Sequence, residues 1–201
     1  MIAAVVLAAG VSSRMGRPKQ TLDVEGVPML ERVLLTFRRS KVGRVVVVIG
    51  AHAEEVRSRV RFADEVIVEN PKFDEGMSGS LKLGLRNVGE ADAAFVALGD
   101  QPFVRPETVD RMVAAYEKTR ACIVIPTYRG TRGNPVLFDR SIFPQIEGIR
   151  GDVGAKSVVR RNASEVLEVD VRDIGVLADI DTPSDLADAV GVRKRRTRGR
   201  A

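Results

Sequence analysis

Short apolar runs alternate with helix-like patterns along the first part of the chain. The runs are rich in β-branched residues and have the length of buried strands, which predicts strands at Ile2–Leu7, Arg44–Ile49, Glu65–Val68, Ala93–Leu98 and Cys122–Ile125. Between them, apolar residues recur at helical spacing, which predicts helices at Pro28–Arg39, Ala53–Arg61, Ser78–Val88 and Pro106–Lys118. This alternation predicts an α/β fold, a mostly parallel twisted sheet with helices on both faces.

The alternation breaks after Ile125. The segments Gly130–Gly133, Pro135–Phe138 and Gly148–Gly154 are turn-rich, so we expect a small irregular lobe over one edge of the sheet. The later patterns predict a helix, a strand and a last helix at Val153–Arg161, Glu165–Val169 and Asp181–Ala189. Since no linker or repeat interrupts the pattern before the last residues, we expect residues 1–191 to form a single domain.

The net charge of +5 is a property of the end of the sequence. The last nine residues, RKRRTRGRA, carry six basic side chains and no acidic one, and the rest of the chain holds 26 basic and 27 acidic residues. Because like charges repel one another, we predict a disordered basic tail at residues 192–201. The alternative is a weak, sequence-independent attraction to phosphates, but we do not expect nucleic acid as a partner.

The composition argues against several classes of function. No stretch of eighteen apolar residues occurs, so no membrane span is expected, and the first apolar run is too short for a signal peptide. The one cysteine, Cys122, excludes an internal disulfide and is compatible with a cytoplasmic location. With His52 as the one histidine, we expect neither a zinc site nor a Ser-His-Asp triad.

The opening stretch, MIAAVVLAAGVSSRMGRPKQ, has the features of a nucleotide-binding loop. A buried strand leads into the small residues Ala8–Gly10, where a flat base can approach the backbone closely. Gly10 and Gly16 allow the backbone to aim N–H groups at phosphate oxygens, and Arg14 and Lys19 add positive charge. Ligands of open α/β sheets bind where such loops follow the strands. The alternative is an ordinary loop with solvated basic side chains.

Two acidic stretches are predicted to lie near the same edge of the sheet. In ADAAFVALGDQPFV, Asp100 directly follows a strand and could hold Mg²⁺ with a triphosphate, the alternative being a turn or capping role. In LADIDTPSDL, Asp179 and Asp181 point to one face if the chain is extended, and one of them could supply a second carboxylate. Thr182 and Asp185 are sufficiently explained as a helix-capping pair.

Glycine turns mark three further motifs. In NPKFDEGMSGSLKLGL, either Ser78 or Ser80 caps a helix, or the turn binds the base or sugar edge of a nucleotide. TRGNPVLF and GDVGAK lie in the irregular half, where a wall built from them would suit a second substrate. Basic residues, Asp and glycine turns together indicate phosphoryl chemistry by positioning and charge neutralisation.

These motifs, in this order, resemble those of the molybdenum cofactor nucleotidyltransferases, most of all the cytidylyltransferase branch. The resemblance rests on LAAG-V-SSRMG-RPK, EGMSGSL, GDQP, RGNPVLF, GDVGAK and DIDTPSDL, and spans residues 3 to about 190. It implies a Rossmann-like α/β fold that transfers CMP from CTP to the terminal phosphate of molybdopterin and releases pyrophosphate. It also implies Mg²⁺ as cofactor, no general base, and a molybdenum hydroxylase or its maturation chaperone as a partner.

The resemblance also assigns roles to residues. It implies catalytic roles for Arg14, Lys19 and Asp100, with Asp100 and Asp181 on the metal. The implied nucleotide-binding residues are Leu7, Ala8, Ala9, Gly10, Ser12, Ser13, Gly16, Asn70, Ser78 and Ser80. The implied acceptor-binding residues are Gln101, Asn134, Asp152 and Lys156. Guanylyl relatives resemble LAGG where this chain has LAAG, so the extra methyl of Ala9 favours a pyrimidine and hence CTP.

Other functions stay open at this point. The same fold could use GTP, or a different acceptor such as a sugar phosphate, methylerythritol phosphate or phospholactate. The protein could instead bind a nucleotide and deliver cofactor without turnover, although Asp100 argues against this because a scaffold needs no metal carboxylate. A nucleic-acid binder acting through the basic tail is the remaining alternative.

Overall fold

The computed structural model of the protein describes residues 1–12, 17–151, 154–182 and 184–187. Its strands are β1 (Ile2–Ala8), β2 (Asp23–Val24), β3 (Val27–Pro28), β4 (Arg44–Ile49), β5 (Val66–Glu69), β6 (Ala93–Leu98), β7 (Ile123–Tyr128), β8 (Thr131–Arg132), β9 (Val136–Asp139) and β10 (Val166–Asp170). Its helices are α1 (Met29–Arg38), α2 (Ala53–Arg59), α3 (Met77–Arg86), α4 (Pro106–Thr119), α5 (Phe143–Glu147) and α6 (Lys156–Arg161). The tail predicted at residues 192–201 lies outside the described residues.

Most of the strands form one large sheet with β1 near its centre. The order is β10-β7-β9-β6-β1-β4-β5, and β8 pairs with β7 outside this path. The neighbours run parallel except for β9, which is antiparallel to both β6 and β7. From β1 the chain moves outwards to β4 and β5 and then returns to β6 on the other side of β1. The strand order therefore reverses between β1 and β6.

Helices cover both faces of the sheet, and successive side chains of a strand point to opposite faces, so nearly every position of a central strand is buried. One face carries Ala4 and Val6 of β1 and packs against α1, α2 and α4. The other carries Ala3 and Val5 and packs against α3, α5 and α6. This double burial explains why the strands read as continuous apolar runs in the sequence. None of the helices in the described part of the chain is long and apolar enough to cross a membrane.

The predicted α/β fold with a mostly parallel sheet is confirmed. The predicted strands recur at nearly the predicted bounds as β1, β4, β5, β6, β7 and β10, and the first four predicted helices recur as α1 to α4. Pro28 precedes α1 at its N-cap position instead of being its first residue. The helix predicted at Val153–Arg161 is shorter, and of the last predicted helix only residues 184–187 are described as helical.

The prediction that Pro135–Phe138 belongs to an irregular lobe is wrong. Three of its residues lie in β9, in the interior of the sheet, where Leu137 and Phe138 are fully buried. Since β8 and β9 both pair antiparallel with β7, they form one strand interrupted at residues 133–135. Glycine and proline therefore mark a bulge inside a strand here, as they do at many sheet positions near functional sites.

A buried ion pair joins the end of α1 to the start of β5. The Glu65 side chain is 2% exposed, and its carboxylate lies 2.5 Å from Arg38 Nε and 3.0 Å from Arg38 Nη2. The backbone N–H of Ala63 donates to the same carboxylate at 2.6 Å. Burial alone would raise the pKa of Glu65, but these donors stabilise its charged form, and the pKa is lowered.

We predict that Glu65→Gln lowers stability most at neutral pH, by about 1–3 kcal/mol. Because the folded-state pKa lies below the ordinary 4.5, the carboxylate stabilises the fold above that pH, and this contribution is lost as the pH falls through the folded-state pKa. Thermal unfolding across acidic and neutral pH should show the Tm gap to wild type closing on acidification. The exposed Glu54→Gln serves as the control. A gap independent of pH would contradict the ionic contribution.

Candidate functional site

Three loops meet where the strand order reverses. They are residues 9–12 and 17–22 after β1, residues 99–105 after β6, and the C-terminal segment 178–182. The N–H of Gly99 donates to the carbonyl of Leu7 at 2.9 Å, and the N–H of Ile180 donates to the carbonyl of Asp100 at 3.0 Å. A Cβ at position 99 would lie 3.0 Å from the carbonyl oxygen of Leu7, so the loop after β6 passes tightly against β1. The backbone itself therefore holds the loops together at the edge where open α/β sheets bind ligands.

Lys19 lies between two carboxylates that are far apart in the sequence. Its Nζ donates to Asp100 Oδ2 at 2.5 Å and to Asp181 Oδ1 at 3.0 Å. Partial burial alone would lower the pKa of Lys19, but the charge of Asp100 and the hydrogen bonds to both carboxylates outweigh it, and the pKa is raised. Lys19 is therefore protonated at neutral pH, and the structure brings together three residues predicted for the site.

Asp100 has one oxygen that the protein does not satisfy. Its Oδ2 accepts from Lys19, whereas Oδ1 is buried and has no hydrogen-bond partner among the described residues. A buried acceptor left without a partner is costly, and in native proteins it commonly indicates a functional ligand site. This oxygen of Asp100 is therefore a candidate ligand for a cation or a hydrogen-bond donor.

Asp179 is a third carboxylate of the same group. The side chain of Gln101, itself 3% exposed, donates from Nε2 to Asp179 Oδ1. The pKa of Asp179 is raised by partial burial and by the nearby charges of Asp100 and Asp181. Asp179 and Asp181 flank the buried Ile180, so both turn towards Asp100, in agreement with the predicted alternation.

A small apolar cluster holds the two ends of the site together. Leu22 and Val24 follow Lys19 closely in the sequence, and they pack with Met29 and with Ile180 of the C-terminal segment. This packing places the Lys19 loop beside the residues that precede Asp181.

The predicted capping pair fixes the start of the last helix. Asp185 Oδ2 accepts from the N–H groups of Asp181 and Thr182 at 2.9 and 2.7 Å. Thr182 Oγ1 in turn accepts from the N–H of Asp185 at 3.2 Å. This reciprocal arrangement confirms the predicted cap and also restrains the backbone of Asp181.

Gln20 holds the opening loop together through buried hydrogen bonds, and the motifs do not predict this role. Gln20 is 3% exposed, and its Nε2 donates to the carbonyls of Ala8 and Gly10 at 2.9 and 3.1 Å. Ser12 has a left-handed backbone (φ 56), and its Oγ lies 3.4 Å from Gln20 Oε1 and accepts from the N–H of Lys19. The sequence does offer one indication: carbonyls in a buried loop need hydrogen-bond donors, and Gln20 is an uncharged amide in an otherwise basic stretch.

Two further contacts shape the floor of this loop. The Ala9 side chain is buried and lies so close to Gly50 that a side chain at position 50 would meet it at 2.9 Å. His52 Nε2 lies 2.9 Å from the carbonyl of Val11. The methyl of Ala9 therefore packs against the backbone at Gly50 and is not exposed in the loop.

The turn before α3 contains residues that pair with one another. Asn70 Nδ2 donates to Ser80 Oγ at 2.9 Å, and Asn70 Oδ1 accepts from the N–H of Lys72 at 3.0 Å. Asn70, Ser78 and Ser80 are each about one-twentieth exposed. Asn70 and Ser80 thus fix the turn after β5, and the N–H of Ser78 at the start of α3 donates to the carbonyl of Gly151 at 3.4 Å.

The residues assigned to the acceptor lie in separate places. The N–H of Asn134, in the bulge between β8 and β9, donates to the carbonyl of Val176 at 2.9 Å, and the Asn134–Pro135 bond is cis. Lys156 is exposed at the start of α6. Gln101 is buried and turned to Asp179. Four further residues assigned to the site lie outside the described residues, namely Ser13, Arg14, Gly16 and Asp152.

Residues 4–166 match the model of the MobA-like NTP transferase domain. The chain belongs to this family. The match confirms the family resemblance carried by the motifs, and it covers the opening loop, Lys19 and Asp100. The family is one of nucleotidyltransferases, and the matched range includes Lys19 and Asp100 at the strand reversal.

Several proteins are similar to this chain over nearly their whole length. PucB, a purine catabolism protein of Bacillus subtilis, is 30% identical over 90% of this chain and 92% of its own. The nicotine blue oxidoreductase of Paenarthrobacter nicotinovorans is 29% identical over the same shares. The molybdenum cofactor cytidylyltransferase of Escherichia coli is 24% identical, over 92% of this chain and 93% of its own.

The fold is also shared with solved structures. The crystal structure of Rv0371c from Mycobacterium tuberculosis matches with a TM-score of 0.82 and 30% identity, over 93% of this chain and 95% of that one. A second structure of Rv0371c, in complex with manganese, matches with a TM-score of 0.78 and 28% identity. These likenesses confirm the predicted Rossmann-like nucleotidyltransferase fold.

The charged residues at the reversal fit a divalent cation. Asp100 offers a buried free oxygen, and the Lys19 ammonium already occupies a cationic position between Asp100 and Asp181. Across residues 1–12, 17–151, 154–182 and 184–187, no group of three or more His, Cys, Asp or Glu side chains is arranged to hold a metal alone. This suits Mg²⁺ and similar ions of phosphoryl enzymes, which take one or two carboxylates and complete their shell with phosphates and water.

We predict that Gln20→Leu disorders the opening loop. Leucine has nearly the same volume but leaves the carbonyls of Ala8 and Gly10 without their donor, which costs about 1–3 kcal/mol. Urea unfolding should therefore show a lower midpoint, and nucleotide binding measured by calorimetry should weaken. Thr21→Val, which removes a hydroxyl bonded to the carbonyl of Pro18 in the same turn, is the control and should affect nucleotide binding much less. Equal weakening by both variants would contradict the role given to Gln20.

Proposed function

We propose that the protein transfers CMP from CTP to the terminal phosphate of molybdopterin and releases pyrophosphate. One observation carries the proposal: Lys19, Asp100 and Asp181 meet in a single charged cluster at the strand reversal, in a chain of the MobA-like NTP transferase family. An ammonium and two carboxylates, one with a buried oxygen that has no partner among the described residues, suit a metal-bound triphosphate.

The reaction needs positioning more than acid–base chemistry. An oxygen of the acceptor phosphate forms a bond to the α-phosphorus of CTP, while the bond from that phosphorus to the bridging oxygen breaks and pyrophosphate leaves with the electron pair. Because the attacking phosphate is already ionised at neutral pH, no base must remove a proton from it. This agrees with the sequence, whose one histidine, His52, is bonded to a backbone carbonyl.

Each charged residue then has a distinct task. Asp100 and Asp181 hold the divalent cation, which when bound neutralises charge on the phosphate oxygens. Lys19, protonated in the resting site, turns from the carboxylates to the triphosphate and stabilises the charge that develops on the leaving pyrophosphate. Arg14 joins Lys19 on the triphosphate.

The loops around this cluster hold the two substrates. The backbone of Leu7, Ala8, Ala9 and Gly10 borders the base and ribose, and the helix start at Ser78–Ser80 supplies further N–H donors. The other nucleotide contacts proposed are Ser12, Ser13, Gly16 and Asn70. On the acceptor side the proposed residues are Gln101, Asn134, Asp152 and Lys156.

The identity of the substrates rests on likeness. The motif set resembles the cytidylyltransferase branch, and the E. coli molybdenum cofactor cytidylyltransferase is a relative over most of both chains. Ala9 supports a pyrimidine indirectly, since its buried methyl fixes the backbone against which a base stacks. A molybdenum hydroxylase or its maturation chaperone would receive the product. Within the same chemistry, the alternatives are GTP as the nucleotide or a different phosphate as the acceptor.

We predict pyrophosphate release in a nucleotide-by-acceptor matrix only where CTP, Mg²⁺ and molybdopterin are combined. The matrix pairs CTP, GTP, UTP and ATP with molybdopterin, a sugar phosphate, methylerythritol phosphate and phospholactate. Turnover with GTP and not CTP would overturn the base assignment, and turnover with another acceptor would overturn the acceptor. One relative is named an oxidoreductase. Oxidation of NADPH without any pyrophosphate release would therefore contradict nucleotidyl transfer altogether.

We predict that Asp100→Asn reduces turnover by on the order of 100-fold or more, because neutralising a metal carboxylate removes several kcal/mol of charge stabilisation. The fold should be preserved, as circular dichroism and thermal unfolding can check. Asp64→Asn, an exposed change between α2 and β5, is the matched control and should leave turnover unchanged. Full activity of folded Asp100→Asn would remove Asp100 from the metal site.

A further inference from the structure

Asp173 is a buried carboxylate that the proposed reaction does not use. It is 3% exposed, and its two oxygens make four polar contacts. Its Oδ2 accepts from the N–H of Arg105 at 2.9 Å and from Thr108 Oγ1 at 2.8 Å. Its Oδ1 accepts from the N–H of Gly175 at 3.1 Å and lies 3.3 Å from Arg105 Nε. Oδ2 therefore binds the start of α4, whereas Oδ1 binds the backbone of the segment after Asp173 and also lies beside the Arg105 side chain.

Through these contacts Asp173 takes the place of a capping side chain at the start of α4. Arg105 occupies the N-cap position of this helix, and its side chain makes no capping hydrogen bond. The carboxylate of Asp173 instead accepts from the backbone N–H of Arg105 and from the hydroxyl of Thr108 in the first turn, and so lies at the positive end of the helix dipole. Because α4 packs into the main core through Val109, Met112 and Tyr116, the carboxylate is tied to a rigid element.

The segment that Asp173 anchors contacts both halves of the site. At Gly175 it approaches the carbonyl of Phe103 so closely that a side chain would not fit. The carbonyl of Val176 accepts from the N–H of Asn134, in the bulge assigned to the acceptor. Further along, the N–H of Ile180 donates to the carbonyl of Asp100 at 3.0 Å. One short stretch of chain thus joins the metal carboxylates, the loop after β6 and the acceptor bulge.

We propose that Asp173 is a positioning residue, which ties this segment to α4 so that Asp181 stays beside Asp100 while Asn134 stays beside Val176. It acts on two sites at once because both depend on the same backbone. This inference rests on the proposed function for the meaning of Asp181 and Asn134, although the coupling itself is a property of the fold. Outer residues that orient metal ligands typically change metal affinity by about 10- to 100-fold.

The chain offers a variant and a matched control. Asparagine is isosteric with aspartate but keeps one acceptor oxygen, so Asp173→Asn can accept from the backbone N–H of Arg105 or from that of Gly175 but not from both. Thr108→Val removes one bond to Asp173 on the helix side and leaves both oxygens in place, so it weakens the cap without releasing the segment. Asp173→Ala, which removes every contact, should give the same effects at greater size.

Amide hydrogen exchange and Mn²⁺ binding test the proposal without using the acceptor. In Asp173→Asn, the amides of Asn134 and Ile180 should exchange together, about 10-fold faster than in wild type, while β1 amides remain protected. Mn²⁺ affinity should fall by about 10-fold, and in turnover assays kcat should fall while the acceptor KM rises. In Thr108→Val, these values should stay within about 2-fold of wild type although Tm falls.

Several results would overturn the proposal. Faster exchange confined to α4 in Asp173→Asn, or a change at only one of the two amides, would show that the segment does not couple them. Equal effects in Thr108→Val would show a general loss of stability. A wild-type protein that neither binds Mn²⁺ nor releases pyrophosphate would contradict the proposed function and the positioning role with it. An active wild type with an unaffected Asp173→Asn would contradict the positioning role alone.

Discussion

The interaction on which the site depends is the double contact of Lys19 with Asp100 and Asp181. These residues come from the beginning, the middle and the end of the sequence, and the contact requires three loops to converge at one edge of the sheet. The fold provides this because the strand order reverses between β1 and β6, which opens a crevice directly above the central strand. The three charges can therefore compensate one another only because the sheet topology brings their loops to the same edge.

The supports of this contact are uncharged or buried. Gln20 fills the inside of the opening loop, the apolar cluster around Ile180 joins that loop to the C-terminal segment, and Asp173 fixes the segment to α4. Backbone hydrogen bonds do the remaining work, such as that from Ile180 to Asp100. In the proposed mechanism Lys19 turns from the carboxylates to a triphosphate, and these supports restrain the backbone of the carboxylates while it does so.

Sequence patterns predicted what local physics determines. Apolar runs of strand length gave β1, β4 and β6 almost residue by residue, because these strands are buried on both faces. They failed at β9, where Gly133 and Pro135 suggest a turn and only the partner strands β6 and β7 reveal a bulged strand. Lys19, Asp100 and Asp181 were recognisable from motifs. Gln20 and Asp173 were not, because their roles lie in buried partners: two loop carbonyls and a distant helix start.

The described charges of the site also limit how a nucleotide can enter. When Asp100, Asp179 and Asp181 are all ionised, Lys19 compensates one of three negative charges. The raised pKa of Asp179 is a sign of this crowding, caused by partial burial and by its two acidic neighbours. A bare triphosphate would add further negative charge to the same crevice, whereas a triphosphate that brings a divalent cation supplies the charge the carboxylates lack. In the proposed reaction, the excess of carboxylate over lysine among the described residues favours binding of the nucleotide together with its metal, because the metal then balances the charge of Asp100 when Lys19 turns to the triphosphate.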